Sequence, residues 1–220
     1  MTTYEALKVI VSELDMNVQV EIVSTNVVKS CNTMYLKVDN VVSDSSGAIF
    51  TISSIEVNGE ITLVPDTTDF VGSVLIPSIK APTYLSGKPR SANSEYLQMD
   101  AQSMNKLPLI WYLTDAQTQG GGEDSSVSKA SNVKLYFLDE TDEPKWVTDE
   151  HYTIVISRMH NLVKRFKETI KANYRISYTS SITLDHERFG VYLRNGADAK
   201  VIDADLSGVE LRLDLQIINC

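Results

Sequence analysis

Three histidines are the first residues of this sequence to consider for metal or acid–base chemistry. His151, His160 and His186 do not have the short spacings that are typical of zinc ligands, either with one another or with Cys31 and Cys220. We therefore interpret them as surface or interface histidines, and the sequence predicts no metal site built from them.

A run of carboxylates is the second candidate for chemistry. Hard divalent cations prefer several carboxylate oxygens, so a metal-dependent hydrolase is one alternative for this protein. The carboxylates are loosely spaced, however, and the last two suit the positive end of a helix dipole. We favour a solvated turn that leads into a helix. The residues are Asp139, Glu140, Asp142, Glu143, Asp149 and Glu150.

Glycines and serines give no catalytic signature. Gly120, Gly121 and Gly122 are not followed by the Lys-Ser/Thr pair of a phosphate-binding loop, and the next residues, Glu123 and Asp124, would repel phosphate. Three consecutive glycines instead predict a flexible loop over 115–132. No serine has the glycine flanks of a nucleophile elbow. We expect no catalytic residue, no cofactor and no metal, and hence no enzyme.

Composition and charge limit the partners. The 220 residues, 43% of them hydrophobic, are sufficient for one domain with a sizeable core. With 20 Lys+Arg against 29 Asp+Glu, the net charge of −9 disfavours binding to free nucleic acid or to anionic membranes. The sequence shows neither the pattern of a signal peptide nor an apolar stretch long enough to span a membrane, so we expect synthesis in a cytoplasm. In that compartment we expect free thiols at both cysteines.

Hydrophobic periodicity predicts an α+β fold in a single domain over 1–220. A mixed, mainly antiparallel sheet is expected, with "LPLIWYL" as a strand buried on both faces. Two helices should pack on it. The predicted segments are a short N-terminal helix at about 3–14, a β-meander at 18–79 with a type I′ turn at Asn58-Gly59, an extended irregular arm at 80–106, and a long amphipathic helix at about 148–171.

The long helix combines an apolar face with a basic one. A charged outer face is the ordinary property of a surface helix, but in a chain this acidic it also offers a complementary surface for another copy of the protein. Its candidate interface residues are Arg158, Lys164, Arg165, Lys167 and Lys171. On the arm, Tyr84, Arg90 and Tyr96 are candidates for anchoring a neighbouring subunit.

Several segments together carry a family resemblance. The order "KLPLIWYL", a glycine-bearing loop, "VKLYFLDE", "KWVTDEHY", a helix with "MHNLVKRF", and "LSGVELRLDLQI" ending in "NC" resembles tail-completion or tail-terminator proteins. These are neck proteins of tailed phages and prophages of Bacteroidota-type hosts. "PTYLSGKPRSANSEY", residues 82–96, and the short "SCNTMYLKV" are also similar to parts of that set. The resemblance covers most of the chain from Pro82 onward.

The resemblance implies a structural protein of the virion, assembled in the host cytoplasm. Such proteins form a homo-oligomeric ring, the head–tail connector, and contact the portal and other neck or tail proteins. DNA passes through the ring without specific binding, and Glu123 and Asp124 would lie on a loop at the lumen. No catalytic residue is implied.

One alternative of a different class stays open. A soluble phage-encoded inhibitor or binding module could use the acidic 139–150 surface to mimic nucleic acid when it binds a host protein. The basic helix speaks against this reading, because such decoys tend to spread negative charge over the whole chain.

Overall fold

The fold is mixed α+β and divides into two compact units. A computed structural model assigns residues 1–14 and 82–220 to a larger unit and residues 15–81 to a smaller one. The β-meander predicted at 18–79 lies within the smaller unit. The structure describes residues 1–31, 33, 36–56, 58–65, 69–78, 81–99, 106–114, 119–120, 126–141, 147–194, 197–202 and 204–218, and only the backbone at 119–120, 191–194 and 197–200.

The smaller unit is a seven-stranded antiparallel sheet. Alternate residues of its longer strands, such as Phe50, Ile52, Ile61 and Leu63, are buried, as the period-2 pattern predicts. The strands are β1 (Val18–Gln19), β2 (Glu21–Ser24), β3 (Val27–Lys29), β4 (Val41–Ser43), β5 (Ile49–Ile55), β6 (Glu60–Pro65) and β7 (Val74–Pro77), in the spatial order β1-β7-β4-β5-β6-β3-β2.

A buried carboxylate organises the turn between β4 and β5. Asp44 is 1% exposed and accepts hydrogen bonds from the Ser46 hydroxyl at 2.6 Å and from the backbone N–H groups of Ser46, Ala48 and Val71 at 2.8, 3.0 and 3.2 Å. Burial acts to raise the pKa of Asp44, but these bonds outweigh it, so the pKa lies below its ordinary value. The turn is thus held by an ionised side chain.

The predicted hairpin at Asn58-Gly59 is present, but its loop is longer than the predicted type I′ turn. The Glu56 N–H donates to the Glu60 carbonyl at 2.7 Å, which leaves three residues between them. Gly59 has φ +84°, and a Cβ there would lie 2.1 Å from the Ser30 carbonyl oxygen. A three-residue loop with a left-handed glycine fits this geometry.

The larger unit is a sheet covered by helices. The strands are β8 (Thr83–Gly87), β9 (Leu109–Leu113), β10 (Gln119–Gly120), β11 (Val127–Glu140), β12 (Ile176–His186), β13 (Val191–Arg194), β14 (Ala197–Lys200) and β15 (Leu206–Ile218). The main sheet has the order β12-β15-β11-β9-β8; β10 also pairs with β11, and β13 and β14 form a separate hairpin. Among these described strands, β8 and β9 pair in parallel and the other ladders are antiparallel.

Helices α1 (Thr3–Ser12) and α2 (Pro89–Gln98) are short. A capping box begins α1: the Thr2 hydroxyl accepts from the Glu5 N–H at 3.2 Å, and the Glu5 carboxylate accepts from the Thr2 N–H at 2.7 Å. The helix ends at Ser12, two residues before the predicted boundary. Its buried residues include Leu7, Ile10 and Val11.

The long helix α3 consists of an α-helical start (Thr148–Glu150), a π-helical segment (His151–Ile156) and an α-helical body (Ser157–Ala172). Its apolar face packs on the sheet, where Phe166 meets Phe137 of β11 with ring centroids 5.3 Å apart. The cap residue is Val147 rather than Thr148 or Asp149, and its N–H donates to the Glu150 carboxylate at 2.8 Å. The predicted helix at 148–171 is otherwise present.

Two predicted irregular segments contain regular structure. The arm at 80–106 forms β8 and α2, because β8 completes its hydrogen bonds beside β9 and Pro89 sits at the first helical position, where its missing N–H costs nothing. Of the loop predicted at 115–132, residues 127–132 belong to β11. Residues 127–130 pair with β15, and a bulge follows, where the Asn132 N–H donates to Asp214 at 2.8 Å.

Replacing Phe166 by Ala should lower the free energy of unfolding by about 3–5 kcal/mol, because the fully buried ring leaves a cavity between α3 and β11. The exposed Glu168→Ala change on the same helix is the matched control and should alter stability by less than about 0.5 kcal/mol. Denaturant unfolding followed by circular dichroism measures both. Equal effects of the two variants would contradict the observed packing face.

Candidate functional site

The basic stripe of α3, defined here as Lys164, Lys167 and Lys171, is the strongest candidate surface. Lys164 and Lys171 are exposed, and Lys167 is partly exposed. Among the residues that the structure describes, no carboxylate forms an ion pair with any of the three. Positive charge on this stripe is therefore not neutralised within the described part of the chain.

The direction of the stripe follows from a contact made by His160. The Nε2 atom of His160 lies 2.7 Å from the Asp185 carboxylate on β12. This side of the helix therefore faces the β12 edge of the sheet. The stripe lies four, seven and eleven residues after His160, spacings that keep side chains on one side of a helix. The stripe and β12 thus border the same rim of the larger unit. Arg165 is partly exposed and belongs to another side of α3.

Arg158 does not belong to this surface, which corrects the prediction. Its side chain is only 12% exposed, and its guanidinium lies 3.7 Å from the carboxylate of Asp139, which is 0% exposed. Burial lowers the pKa of Arg158, and the neighbouring Asp139 charge opposes that shift. The Asp139 carboxylate also accepts the Glu140 N–H at 2.8 Å. This pair ties α3 to the end of β11 inside the protein.

A buried cluster around His151 corrects the interpretation of all three histidines as surface or interface residues. His151, 2% exposed, has Nδ1 at 2.9 Å from both the Thr141 and the Ser207 hydroxyl oxygens. Ser207 donates its own hydrogen to the Glu187 carbonyl, so it can only accept from His151, which assigns Nδ1 as an N–H donor. Because Ser207 is 0% exposed, no substrate can reach this serine–histidine pair in this conformation. The cluster fixes the start of α3 on the sheet.

A second polar cluster lies on the opposite face of the sheet. Glu210, 3% exposed, accepts from Arg212 Nε at 2.6 Å and lies 3.1 Å from His186 Nε2. Burial acts to raise the pKa of Glu210, but the Arg212 and His186 contacts outweigh it, and the pKa lies below its ordinary value. The rings of Tyr136 and Phe189 flank His186 at 5.9 and 5.8 Å.

The arm residues divide into packed and exposed ones. Tyr96 is 9% exposed within the core cluster, and Tyr84 packs on Tyr4 at 5.7 Å between ring centroids. Burial raises the pKa of Tyr84, with smaller contributions from Tyr112 and Tyr4. Both rings therefore contact their own unit, which argues against the predicted role as anchors for a neighbour. Arg90 is exposed on α2, and its interface role stays a prediction.

The smaller unit exposes an apolar sheet face that was not among the sites predicted from the sequence. The aliphatic face is defined as Val41, Ile49, Val64 and Ile76, which are 44%, 51%, 54% and 37% exposed. Thr51 lies between Val41 and Val64, and Ser43 lies between Ile49 and Ile76, so the four residues share one side of the sheet. Four exposed aliphatic side chains thus lie on one face of neighbouring strands, and exposed apolar surface of this kind is a feature of surfaces that bind partners.

Several predicted positions lie outside the described residues. They are the lumen candidates Glu123 and Asp124, the carboxylates Asp142 and Glu143, and Cys220.

Cys31 is an exposed free thiol. Within the ranges given above, no group of three or more His, Cys, Asp or Glu residues is placed to hold a metal ion. None of the described helices has both the length and the apolar character needed to cross a membrane.

The buried Arg158–Asp139 pair makes a stability prediction. Asp139→Asn should destabilise the protein by about 3–5 kcal/mol, because it removes the Asp139 charge that lies 3.7 Å from the buried guanidinium of Arg158. The double variant Asp139→Asn/Arg158→Met should recover most of that loss. Chemical denaturation of the wild type, both single variants and the double variant gives the coupling energy. A double variant no more stable than Asp139→Asn would contradict the assigned pairing.

The lowered pKa of Glu210 makes a pH prediction. A carboxyl whose pKa is depressed by folding stabilises the protein above its unfolded pKa of about 4.3 and loses that contribution as pH falls through the folded pKa. Wild type should therefore exceed Glu210→Gln in unfolding free energy near neutral pH, and the gap should shrink below about pH 4. Glu168→Gln, on exposed helix surface, should show no such gap. Urea titrations across this pH range provide the measurement.

No family model matches the chain, and no curated protein or solved structure matches it. We therefore infer the function from the surfaces of the described residues.

Proposed function

We propose that this chain is a structural virion protein of a tailed bacteriophage, forming a homo-oligomeric ring at the head–tail neck as a tail terminator or connector. The observation that carries the proposal is the basic stripe, a row of three lysines, two of them exposed and one partly exposed, on a chain of net charge −9. In the described structure these lysines have no carboxylate partner. A partner with an acidic surface would supply it.

A second copy of the same chain offers such a surface. Glu140 and Asp149, near the start of α3, are exposed, while the stripe occupies the last part of the helix. The acidic and basic regions are thus different patches, and joining them makes a heterologous contact between copies, the type that closes into a ring. Opposite charges at such a contact also steer association and fix its register.

The aliphatic face supports a contact with a different partner. Exposed aliphatic residues lose water contact on binding, and about 25 cal/mol per Å² of buried apolar area favours association. In the proposed neck, this face would meet the portal or another neck or tail protein. An acidic loop at Glu123 and Asp124 would repel DNA and let it pass. The proposed role requires no catalytic residue, cofactor or metal.

Reversing the stripe tests the ring contact. Lys164→Glu/Lys171→Glu should lower the molar mass of the assembled protein well below that of the wild-type ring, because both patches would then be acidic. Lys8→Glu/Lys129→Glu changes the same amount of charge at exposed sites elsewhere and should leave the assembly unchanged. Size-exclusion chromatography with light scattering measures both variants. Equal behaviour of the two would contradict the proposed contact.

Virion composition tests the proposed location. Mass spectrometry of washed, purified particles should detect the chain at a stoichiometry fixed relative to the portal. A chain that is abundant in infected cells but absent from washed particles would contradict the proposal and favour the host-directed inhibitor instead.

A further inference from the structure

Strand β12 leaves one edge of the larger sheet open. Within the described residues it pairs on one side only, with β15, over Ile176–His186. Such an edge presents a row of backbone N–H and C=O groups that can pair with another strand. The remaining question is whether β12 is protected against this pairing.

The sequence of β12 has little of the usual protection. Proteins guard exposed edges with Lys, Pro, bulges or short strands; "ISYTSSITLDH" has one bulge but spans 11 residues without Lys, Arg, Pro or Gly. Ile182 and Leu184 also stand 60% and 38% exposed on it. A bulge interrupts the β15 register between Tyr178 and Ser180, so the regular part of the edge is residues 180–186. This regular part is both open and partly apolar.

We propose that residues 180–186 of β12 pair antiparallel with the same residues of a second copy, about a twofold axis at Thr183. In this register Ile182 lies opposite Leu184 of the other copy, and Leu184 lies opposite its Ile182. Directly opposed side chains in antiparallel strands have Cβ atoms about 4.5–5.5 Å apart. The two aliphatic residues that each copy exposes are then covered by the same two residues of its partner.

Charge on the neighbouring strand does not oppose this register. On β15, Arg212 lies beside Ile182 and Glu210 lies beside Leu184. These two charges are paired with each other within one copy, because Arg212 Nε donates to the Glu210 carboxylate at 2.6 Å. Asp185 faces Ser181 of the other copy rather than a second carboxylate. An axis moved to Asp185 would oppose two aspartates, which is destabilising. A second copy is therefore the occupant that this edge fits.

This contact is isologous, because the same residues meet on both sides. It differs from the heterologous contact proposed for the basic stripe and does not depend on it.

Single cysteines test the register in a Cys31→Ser/Cys220→Ser background. Thr183→Cys places two thiols opposite each other on the axis, where Cα atoms about 4.5–5.5 Å apart allow a disulfide. Ser181→Cys, two residues away, puts the thiols four residues apart, about 13 Å along the strand and too far to bond. Mild oxidation followed by a denaturing gel should give covalent dimer with Thr183→Cys at least about tenfold faster than with Ser181→Cys.

Lysines on the same edge complete the test. Adding Ile182→Lys/Leu184→Lys to the Thr183→Cys protein should slow dimer formation at least about tenfold, because it places charge in the proposed contact. Ile22→Lys/Val23→Lys, on the edge strand β2 of the smaller unit where both residues are 53% exposed, should leave the rate unchanged.

Three outcomes would each overturn the proposal: no crosslink with Thr183→Cys, equal rates for Thr183→Cys and Ser181→Cys, or no effect of the β12 lysines on the rate. The covalent readout does not depend on ring formation.

Discussion

The packing of α3 on the β11–β15–β12 sheet is the interaction on which the larger unit depends. Seven apolar residues of the helix are buried against alternating apolar residues of the strands, among them the Phe166–Phe137 pair. Two polar links fix the same helix, the Arg158–Asp139 ion pair and the His151–Ser207 hydrogen bond. Once the apolar face and these links are in place, the basic stripe and the β12 edge lie on one rim of the unit. Surface chemistry thus follows from core packing.

Much of the fold could be predicted from the periodicity of the sequence. The apolar spacing of α3, the alternation in β15 and the buried run of β9 each indicated the right element, because burial of one face imposes that period. The segment 80–106 could not be predicted this way, since β8 is ordered by parallel pairing with a strand more than twenty residues later. The division into two units also depends on tertiary contacts that a local pattern does not contain.

The candidate surfaces were predictable only in part. Lysines at positions 164 and 171 are exposed as helical spacing indicates, yet Arg158, on the same helix, turns inward because Asp139 of β11 lies there. Sequence spacing cannot reveal a counter-charge that arrives from another element. The open edge of β12 could not be predicted from the sequence either, because strand order decides whether Ile182 and Leu184 face a neighbouring strand or water. Their alternation within "SITLDH" was the one available signal.

Negative-stain microscopy of the purified protein, alone and mixed with its portal, is the first test of the proposed ring. The proposed function predicts closed rings of one rotational symmetry, and their binding to one face of the portal. Single particles of monomer size at every concentration, with and without the portal, would contradict it.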